Sequence, residues 1–421
     1  MRSQALLFSG IMLLVSYSLG AQFRIESEFR PRFEIRDGYK KLQPPGAVPA
    51  LLVKQRFRLS FSYRSEDLYI KLTPQDARVW GDEQLVSSTG VFGDSAALDL
   101  YEAFAGIRLG KNGSVIVGRQ ELVYDQERLL SKRNWNHNGL TYDAVVFKFS
   151  PEPWEIHAGG TWNSLGEASF GNLYREGKIK TLDYIWMNYS GSKYFYISGI
   201  YVASGVPGTD TTDRLFFRHT AGSFFSGSFG HSRYRAEVYL QTGKNYTGEI
   251  VSAWLTSADF TYKIGSFKSG LGATMISGDK NPGSGRDRLF DQLYGSRHRY
   301  LGHMDYFSNL SASTHGGGIT DLYGSFQYAH GEAFEIKSIS HAFFLGQVNE
   351  RTPAQPYLGF EQELEFSWTF SENGSLKAAW LMFFPSEGLR IMQEVPGTAP
   401  ASFAFLELTI NPVLLVHSQN N

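Results

Sequence analysis

Residues 22–36 alternate between apolar and charged side chains with a period of two. Every even position from 24 to 36 is Arg or Glu, and most odd positions are Phe or Ile. Because successive side chains of a strand point to opposite faces, the run predicts a β-strand with one apolar and one charged face. The run is 15 residues long, which suits a tilted strand that crosses a bilayer beside a water-filled lumen.

Similar alternation recurs along the chain, and it predicts eighteen strands. They lie at 22–36, 51–64, 67–77, 98–110, 113–123, 139–149, 154–163, 179–190, 193–204, 211–227, 231–243, 249–264, 267–278, 319–330, 332–346, 357–371, 374–385 and 400–410. Outward-facing apolar positions are expected at Phe23, Ile25, Phe57, Leu59, Leu364 and Phe366.

Long and short connections alternate between the predicted strands. Short turns such as 65–66 and 372–373 contain two residues. The long connections are 37–50, 78–97, 124–138, 164–178, 205–210, 279–318, 347–356 and 386–399. The alternation predicts an all-β fold, a transmembrane antiparallel up-and-down β-barrel with long extracellular loops and short periplasmic turns. Greek-key crossovers of a sandwich would break it.

The N-terminus indicates export from the cytoplasm. Arg2 precedes a mostly apolar stretch that is too short to span a membrane, and small residues follow up to Ala21. This pattern is typical of a secretory signal peptide, predicted at 1–21. We expect residues 22–421 to form one outer-membrane barrel domain, which places the protein in the bacterial outer membrane.

Composition supports the barrel and excludes several other classes. The chain has no Cys, and its longest apolar run after the signal, 378–384, is too short for a transmembrane helix. Aromatic residues make up 15% of the chain, which fits the interfacial girdles of a membrane barrel. The net charge of −1 gives no indication of nucleic-acid binding.

The charged faces of the predicted strands indicate which solutes the lumen would pass. The first two strands direct a set of cations toward the lumen, and these would form a basic wall: Arg24, Arg30, Arg32, Arg36, Lys54, Arg56, Arg58 and Arg64. Lumen charge decides the sign of the solutes that pass. The alternative is that Arg and Glu neutralise each other across strands. Near the barrel closure, Glu361, Glu363 and Glu365 make the lumen mixed in sign.

The connection at 279–318 contains too many large apolar residues for a disordered loop. We expect it to pack on the barrel mouth or on the neighbouring loop 124–138 around Trp135. It would then form a lid whose polar members are Arg286, Arg288, Arg297, Arg299 and Tyr300. The alternative is an apolar cap that packs outward and never meets the pore.

No enzyme or cofactor motif stands out. The histidines His298 and His303 are five residues apart, which is no familiar ligand spacing. Residues 279–287 are similar to a calcium loop but lack the terminal bidentate Glu. A membrane esterase would need Ser, His and a carboxylate at one height, and sequence alone does not show such a convergence. We expect no metal, no cofactor and no enzymatic activity.

Two sequence blocks carry a family resemblance. The first includes Gly118-Arg-Gln-Glu-Leu122, Glu127-Arg-Leu129 and Trp135-Asn136. The second includes Phe290-Asp-Gln-Leu-Tyr294, followed by His298-Arg-Tyr300, Gly302 and Asp305-Tyr-Phe307. Together these blocks resemble the alginate export family of outer-membrane porins.

The resemblance implies an eighteen-strand barrel with an electropositive constriction that conducts an anionic polysaccharide. By motif position it implies that Arg119, Arg128 and Arg133 lie in or near that constriction. Two features depart from the family pattern. Gly295-Ser296-Arg297 stands where Pro-Thr-Gly is usual, and Pro412 to Asn421 run past the last predicted strand.

We therefore expect an outer-membrane channel that passes anionic sugars or an anionic polysaccharide by diffusion. Its partners would be outer-membrane lipid and anionic saccharides or small anionic solutes, without nucleic acid. Three alternatives remain open: a less selective porin for small solutes, a structural or docking barrel with a loop-closed lumen, and a lipid-modifying enzyme.

Overall fold

The computed structural model describes residues 21–81, 98–208, 214–397 and 399–418. Apart from Ala21, the predicted signal peptide lies outside these residues. Within them, one sheet contains twenty strands: β1 (Gln22–Asp37), β2 (Ala50–Arg64), β3 (Leu68–Val79), β4 (Leu98–Leu109), β5 (Gly113–Gln120), β6 (Tyr142–Phe149), β7 (Trp154–Trp162), β8 (Thr181–Tyr189), β9 (Phe195–Pro207), β10 (Leu215–Phe229), β11 (Ser232–Lys244), β12 (Ile250–Ile264), β13 (Phe267–Ile276), β14 (Arg286–Asp287), β15 (Ile319–His330), β16 (Phe334–Phe344), β17 (Tyr357–Ser371), β18 (Gly374–Pro385), β19 (Ala401–Ile410) and β20 (Val413–Ser418).

Helical segments are few and short in the described part of the chain. They are α1 (Leu310–Ser313), α2 (Glu387–Met392) and a 3-10 turn at Arg297–Arg299. None of the described helices has the length and apolar character needed to cross a membrane.

The sheet closes on itself as an antiparallel barrel. Consecutive long strands pair as neighbours, and β1 pairs with β19 to complete the cylinder, with Phe29 opposite Ile410. Eighteen strands form the wall of the described barrel and correspond one to one with the eighteen predicted strands. The other two are β14, a two-residue piece parallel to β12, and β20. The predicted barrel fold is confirmed.

The last predicted strand, 400–410, corresponds to β19 and ends at Ile410, but the chain forms one more strand after it. After Pro412 the chain continues as β20, which pairs with the first residues of β1, so that Ile25 lies opposite Leu415. The tail that departs from the family pattern is therefore part of the closing seam. Pro412 has no N–H to donate, but its carbonyl accepts from the Ser27 N–H at 3.1 Å, and the register of the pairing shifts just after it, at Leu414.

The alternation along the strands separates two faces as predicted. On the outer face Phe29 pairs with Phe57, and Ile336 pairs with Phe366. Phe57 is 40% exposed and Leu364 is 47% exposed, in a belt of large apolar side chains that only lipid can cover favourably. Charged, small and some buried aromatic side chains occupy the opposite, lumenal face.

Two of the long connections fold into the lumen and form its core. We call residues 121–141 the inner loop and residues 277–318 the long loop. The buried apolar side chains of the long loop are Phe290, Leu293, Leu301, Met304, Tyr306, Phe307 and Leu310. They pack against lumenal aromatics such as Phe343 and Phe383. The expectation that this loop packs inward is met, and the outward cap is not observed.

Candidate functional site in the loop-filled lumen

The inner loop and the long loop join to form one partition across the lumen. Leu130 and Tyr294 form a parallel β-bridge, and the Ser131 hydroxyl donates to the Tyr294 carbonyl at 2.9 Å. The ring of Trp135 stacks on His298 with centroids 3.7 Å apart. The expected contact between the long loop and Trp135 is therefore present.

Buried arginines of β1 and β2 hold the inner loop against the wall. Arg56 donates to the Asn134 side chain at 2.8 Å and to the His137 carbonyl at 3.3 Å. Arg32 donates to the Trp135 carbonyl at 3.2 Å, and its guanidinium lies 3.7 Å from the Trp135 ring centroid. These are charge-assisted hydrogen bonds and a cation–π contact in a site closed to water.

The predicted basic wall needs a correction on this point. Its lumenal face is right, but the side chains in its middle do not face water: Arg30, Arg32, Arg56 and Arg58 are 5%, 1%, 0% and 8% exposed. Their donors are used by loop carbonyls and by nearby acids, including Glu28, Glu34 and Glu407. The pore-lining role stays a prediction for the more exposed members, which are Arg24, Arg36, Lys54 and Arg64.

His137 sits among these cations as a neutral side chain. Burial lowers its pKa to about 2, and the charges of Arg32, Arg30, Lys54 and Arg56 act in the same direction. An Arg32 donor lies 3.4 Å from its Nδ1, as a neutral acceptor requires.

We therefore expect acid to release the inner loop. The folded pKa lies below the ordinary value of about 6.5, so docking keeps its full stability above that pH. It loses stability as pH falls from 6.5 toward 2, by about 3 kcal/mol at pH 4.5. The chain has no Cys, so a spin label at Asn136→Cys can report loop mobility across this range. His137→Gln should remove most of the acid response. An unchanged response in that variant would exclude His137 as its source.

The acidic row of β17 is covered by the long loop. Glu361 and Glu363 are both 0% exposed. The Met304 N–H donates to Glu361 at 2.8 Å. The close approach depends on Gly302, whose φ is +78° and where a Cβ would collide with a carboxylate oxygen of Glu361. Like the buried arginines, these carboxylates face the lumen but not water.

His303 of the long loop pairs with the next two acids. Its Nδ1 lies 3.0 Å from Glu363 and 3.2 Å from Glu365. Burial opposes the imidazolium, but the carboxylates outweigh it and raise the pKa of His303 to about 9. In contrast, burial lowers the pKa of the stacked His298 to about 4 although it contacts Asp305 at 2.9 Å.

The three arginines named by motif position have different environments. Arg128 is buried, pairs with Glu237 at 2.5 Å and lies 3.4 Å from the Tyr300 ring centroid. Its Nη1 is buried without a hydrogen-bond partner. Arg133 donates to the carbonyls of Gly295 and Leu293, both at 3.2 Å.

Arg119 is on the wrong face for a constriction, which corrects the expectation from the motif. It lies in phase with Val117, which is 52% exposed on the outer face, and it pairs with Asp143 at 2.9 Å. The signal was present in the sequence, because Val115, Val117 and Arg119 occupy alternate positions of one strand.

The lid arginines do not form one cluster over the opening. Arg297 donates to the Ser308 carbonyl at 3.1 Å, whereas Arg288 contacts Asp279 at 3.4 Å. Arg286 is exposed in β14. Arg299 lies 3.6 Å from Glu127, and the hydroxyl of its neighbour Tyr300 donates to the Gln126 carbonyl.

A cavity of about 310 Å³ remains between the two loops and the wall from β10 to β16. The cations that line it are Arg128, Arg235, Lys268, Arg299 and Lys337, and the acids are Glu237, Asp259 and Asp321. Strand register places Lys268 and Lys337 on either side of Gln327. The pair is not evident from the sequence, because the two lysines lie on different strands that the long loop separates along the chain.

A closed barrel with an apolar outer belt, a polar lumen and inward-folded loops defines an outer-membrane channel of the porin class. The family model for alginate export matches residues 17–322. The chain belongs to this family. The expected family, barrel fold and location in the bacterial outer membrane are thus confirmed.

Solved structures of Pseudomonas aeruginosa share the fold at low sequence identity. OccK3 (OpdO) aligns with a TM-score of 0.63 and 11% identity, covering 93% of this chain and 96% of that chain. OpdK with vanillate aligns with a TM-score of 0.61 and 13% identity, covering 94% and 99%. OpdQ aligns with a TM-score of 0.61 and 12% identity, covering 93% and 99%. Comparison with curated proteins gave no match.

Proposed function

We propose that this channel conducts anionic saccharides or other small anions by diffusion past the lumenal cavity. The supporting observation is the charge of the cavity lining, in which five Arg or Lys side chains face three acids. Family membership supports a channel but leaves the solute open, so the proposal rests on this local surplus of positive charge.

The three acids are already engaged by cations or histidine. Glu237 pairs with Arg128, and Asp259 pairs with Arg235 at 2.8 Å. The third, Asp321, contacts His341 at 2.9 Å. The negative charges of Glu237 and Asp259 are therefore largely cancelled by arginine, and Asp321 is held by a contact with His341.

Two lysines carry the surplus. Among the described residues, neither the Lys268 nor the Lys337 ammonium group takes part in an ion pair. No described carboxylate therefore lies within 4.0 Å of either group. The unpartnered Nη1 of Arg128 lines the same cavity. A carboxylate or sulfate group in this space would meet donors that no protein acceptor occupies.

Charge reversal of both lysines should invert the preference. We expect the wild-type channel to be modestly anion-selective in a salt gradient, with selectivity falling at high salt, since the Debye length is about 8 Å at physiological salt. Lys268→Glu/Lys337→Glu replaces two cations by two anions and should shift the reversal potential toward cation selectivity. Planar-bilayer recording measures this directly.

A matched control makes the same change of charge at two residues outside the lumen. Lys111→Glu/Lys193→Glu alters two exposed residues at the short turns and should leave the reversal potential unchanged. A cation-selective wild-type channel would contradict the proposal. Conductance without preference would instead favour a general porin, and absence of conductance would favour the loop-closed docking barrel. Added oligouronate or vanillate, the compound in the OpdK structure, should block current in the wild type more than in the double variant.

A further inference from the structure

Three side chains with metal-binding atoms converge where the long loop meets β17. The Nδ1 of His303 and carboxylate oxygens of Glu363 and Glu365 lie within 4.8 Å of one another. Nδ1 is 3.0 Å from Glu363 and 3.2 Å from Glu365. Ligand atoms at about 2.0–2.2 Å from a tetrahedral zinc ion are about 3.3–3.6 Å apart. Two of the three separations are slightly shorter than this, so a small outward movement of the side chains would give a first coordination shell.

A buried carboxylate oxygen without a partner points to a missing cation. Oε2 of Glu361 is inaccessible to water and accepts no hydrogen bond. Oε2 of Glu363 is equally buried, and its partner is Nδ1 of His303 at 3.0 Å. The two carboxyl groups lie within hydrogen-bonding reach of each other. Adjacent buried carboxylates repel strongly unless a proton or a metal ion lies between them.

A fourth side chain has the arrangement of a supported metal ligand. Nδ1 of His341 lies 2.9 Å from Asp321. If Nδ1–H donates to that carboxylate, Nε2 presents a lone pair, and Nε2 lies 3.6 Å from the Glu363 Oε1 atom. A carboxylate that orients a histidine in this way is the usual second shell of a metal site.

We propose that His303, Glu363 and Glu365 bind one divalent transition-metal ion, of the class represented by Zn²⁺. His341 or the free oxygen of Glu361 supplies a further ligand. Mixed imidazole and carboxylate ligands favour this class over calcium, which takes oxygen ligands. His303 and His341 both line the lumenal cavity, which gives the ion a path from water.

The ion would join a loop to the barrel wall. His303 belongs to the long loop, whereas Glu363 and Glu365 belong to β17, so metal binding would stabilise the docked partition. The proposal does not depend on which solute the channel conducts.

Direct binding tests the site. The full-length barrel, stripped with EDTA and kept in detergent, is titrated with Zn²⁺ in a calorimeter, and Zn X-ray absorption reports the ligand types. We expect one ion per chain, with imidazole and oxygen ligands. Glu363→Gln and His303→Asn should each weaken binding by about 100-fold or more, since each removes a ligand.

A lumenal acid outside the cluster supplies the control. Glu335→Gln removes a carboxylate that accepts from Gln327 on the neighbouring strand, and it should bind Zn²⁺ like the wild type. Heat-modifiable migration on gels verifies that each variant is a folded barrel. His303→Asn keeps a polar group of similar size, so it remains informative if Glu363→Gln does not fold.

Several outcomes would overturn the proposal. One is equal Zn²⁺ affinity in the wild type and His303→Asn. Another is an absorption spectrum without imidazole ligands. A third is Ca²⁺ binding as tight as Zn²⁺ binding and insensitive to His303→Asn. Absence of any stoichiometric binding would show that the cluster is a proton-stabilised ion cluster only.

Discussion

Removal of the long loop should raise single-channel conductance several-fold while the barrel still assembles. The loop fills the lumen with buried apolar side chains and forms half of the partition. The strands that flank it, β13 and β15, pair directly, with Ile276 opposite Ile319. Pairing of the wall strands therefore does not depend on the long loop. The loop affects only the path through the lumen.

The geometry at the base of the loop allows a clean excision. The Asp279 N–H donates to the Gly316 carbonyl at 2.8 Å, so the ends of the loop are adjacent. Residues 281–314 can be replaced by a short Gly-Ser linker without stretching either strand. We also expect weaker anion preference, because Arg299 leaves with the loop and Arg128 loses its contact with Tyr300.

Excision of a different external loop is the matched control. Residues 165–177 carry exposed apolar side chains, including Phe170 at 95% exposure. Their ends are also adjacent, since the Asn163 N–H donates to the Lys180 carbonyl at 2.7 Å. This excision should leave conductance near the wild-type value. A folded long-loop deletion with wild-type conductance would show that the long loop does not restrict the pore.

Arg32→Ala should release the inner loop from the wall. The side chain is 1% exposed and contacts Glu34 at 2.8 Å, Glu407 at 3.3 Å and the face of Trp135. Its removal leaves the Trp135 carbonyl without this donor and takes one cation from each of two acids, although Glu34 keeps Arg36 and Glu407 keeps Arg30. Breaking a buried ion pair from one side typically costs about 3–5 kcal/mol, and the cations that remain reduce this cost. The docked loop should therefore become mobile, and single-channel current should become noisier.

The same strand supplies the control for this variant. Arg24 shares the lumenal face of β1, but its side chain is 40% exposed, and its ion pair among the described residues is with Glu26 at 2.7 Å. Arg24→Ala should have little effect, because exposed ion pairs contribute about 0–1 kcal/mol. The spin label at Asn136→Cys measures both variants. Equal label mobility in Arg32→Ala and Arg24→Ala would mean that Arg32 does not hold the loop.

The wall of the barrel could be predicted from sequence because it depends on local periodicity. Alternation in β1 placed Arg32 in the lumen and Phe29 on lipid, and both assignments hold. The additional strand β20 could not be predicted in the same way, because residues 413–416 after Pro412 are all apolar and do not alternate. Proline predicts an end to ladder hydrogen bonding, but an edge position tolerates it.

The candidate site could be predicted only in part, because it depends on how the loops fold into the lumen. Periodicity gives the face of Arg56 but does not show that the inner loop covers it. The apolar content of the long loop predicted burial correctly, since large apolar groups require a dry surface. The pairing of His303 with Glu363 joins residues 60 apart, and no spacing rule connects them.

The seam between the first and last strands sets an order of events in assembly. Arg32 contacts both the inner loop and Glu407, which is 375 residues away along the chain. Contacts of such separation form late, since a very long loop must close first. The edge of β1 stays unpaired on this side until β19 and β20 arrive. The lumen therefore reaches its final arrangement only when the C-terminal strands have paired with β1. Closure of the barrel and docking of the inner loop are thus coupled.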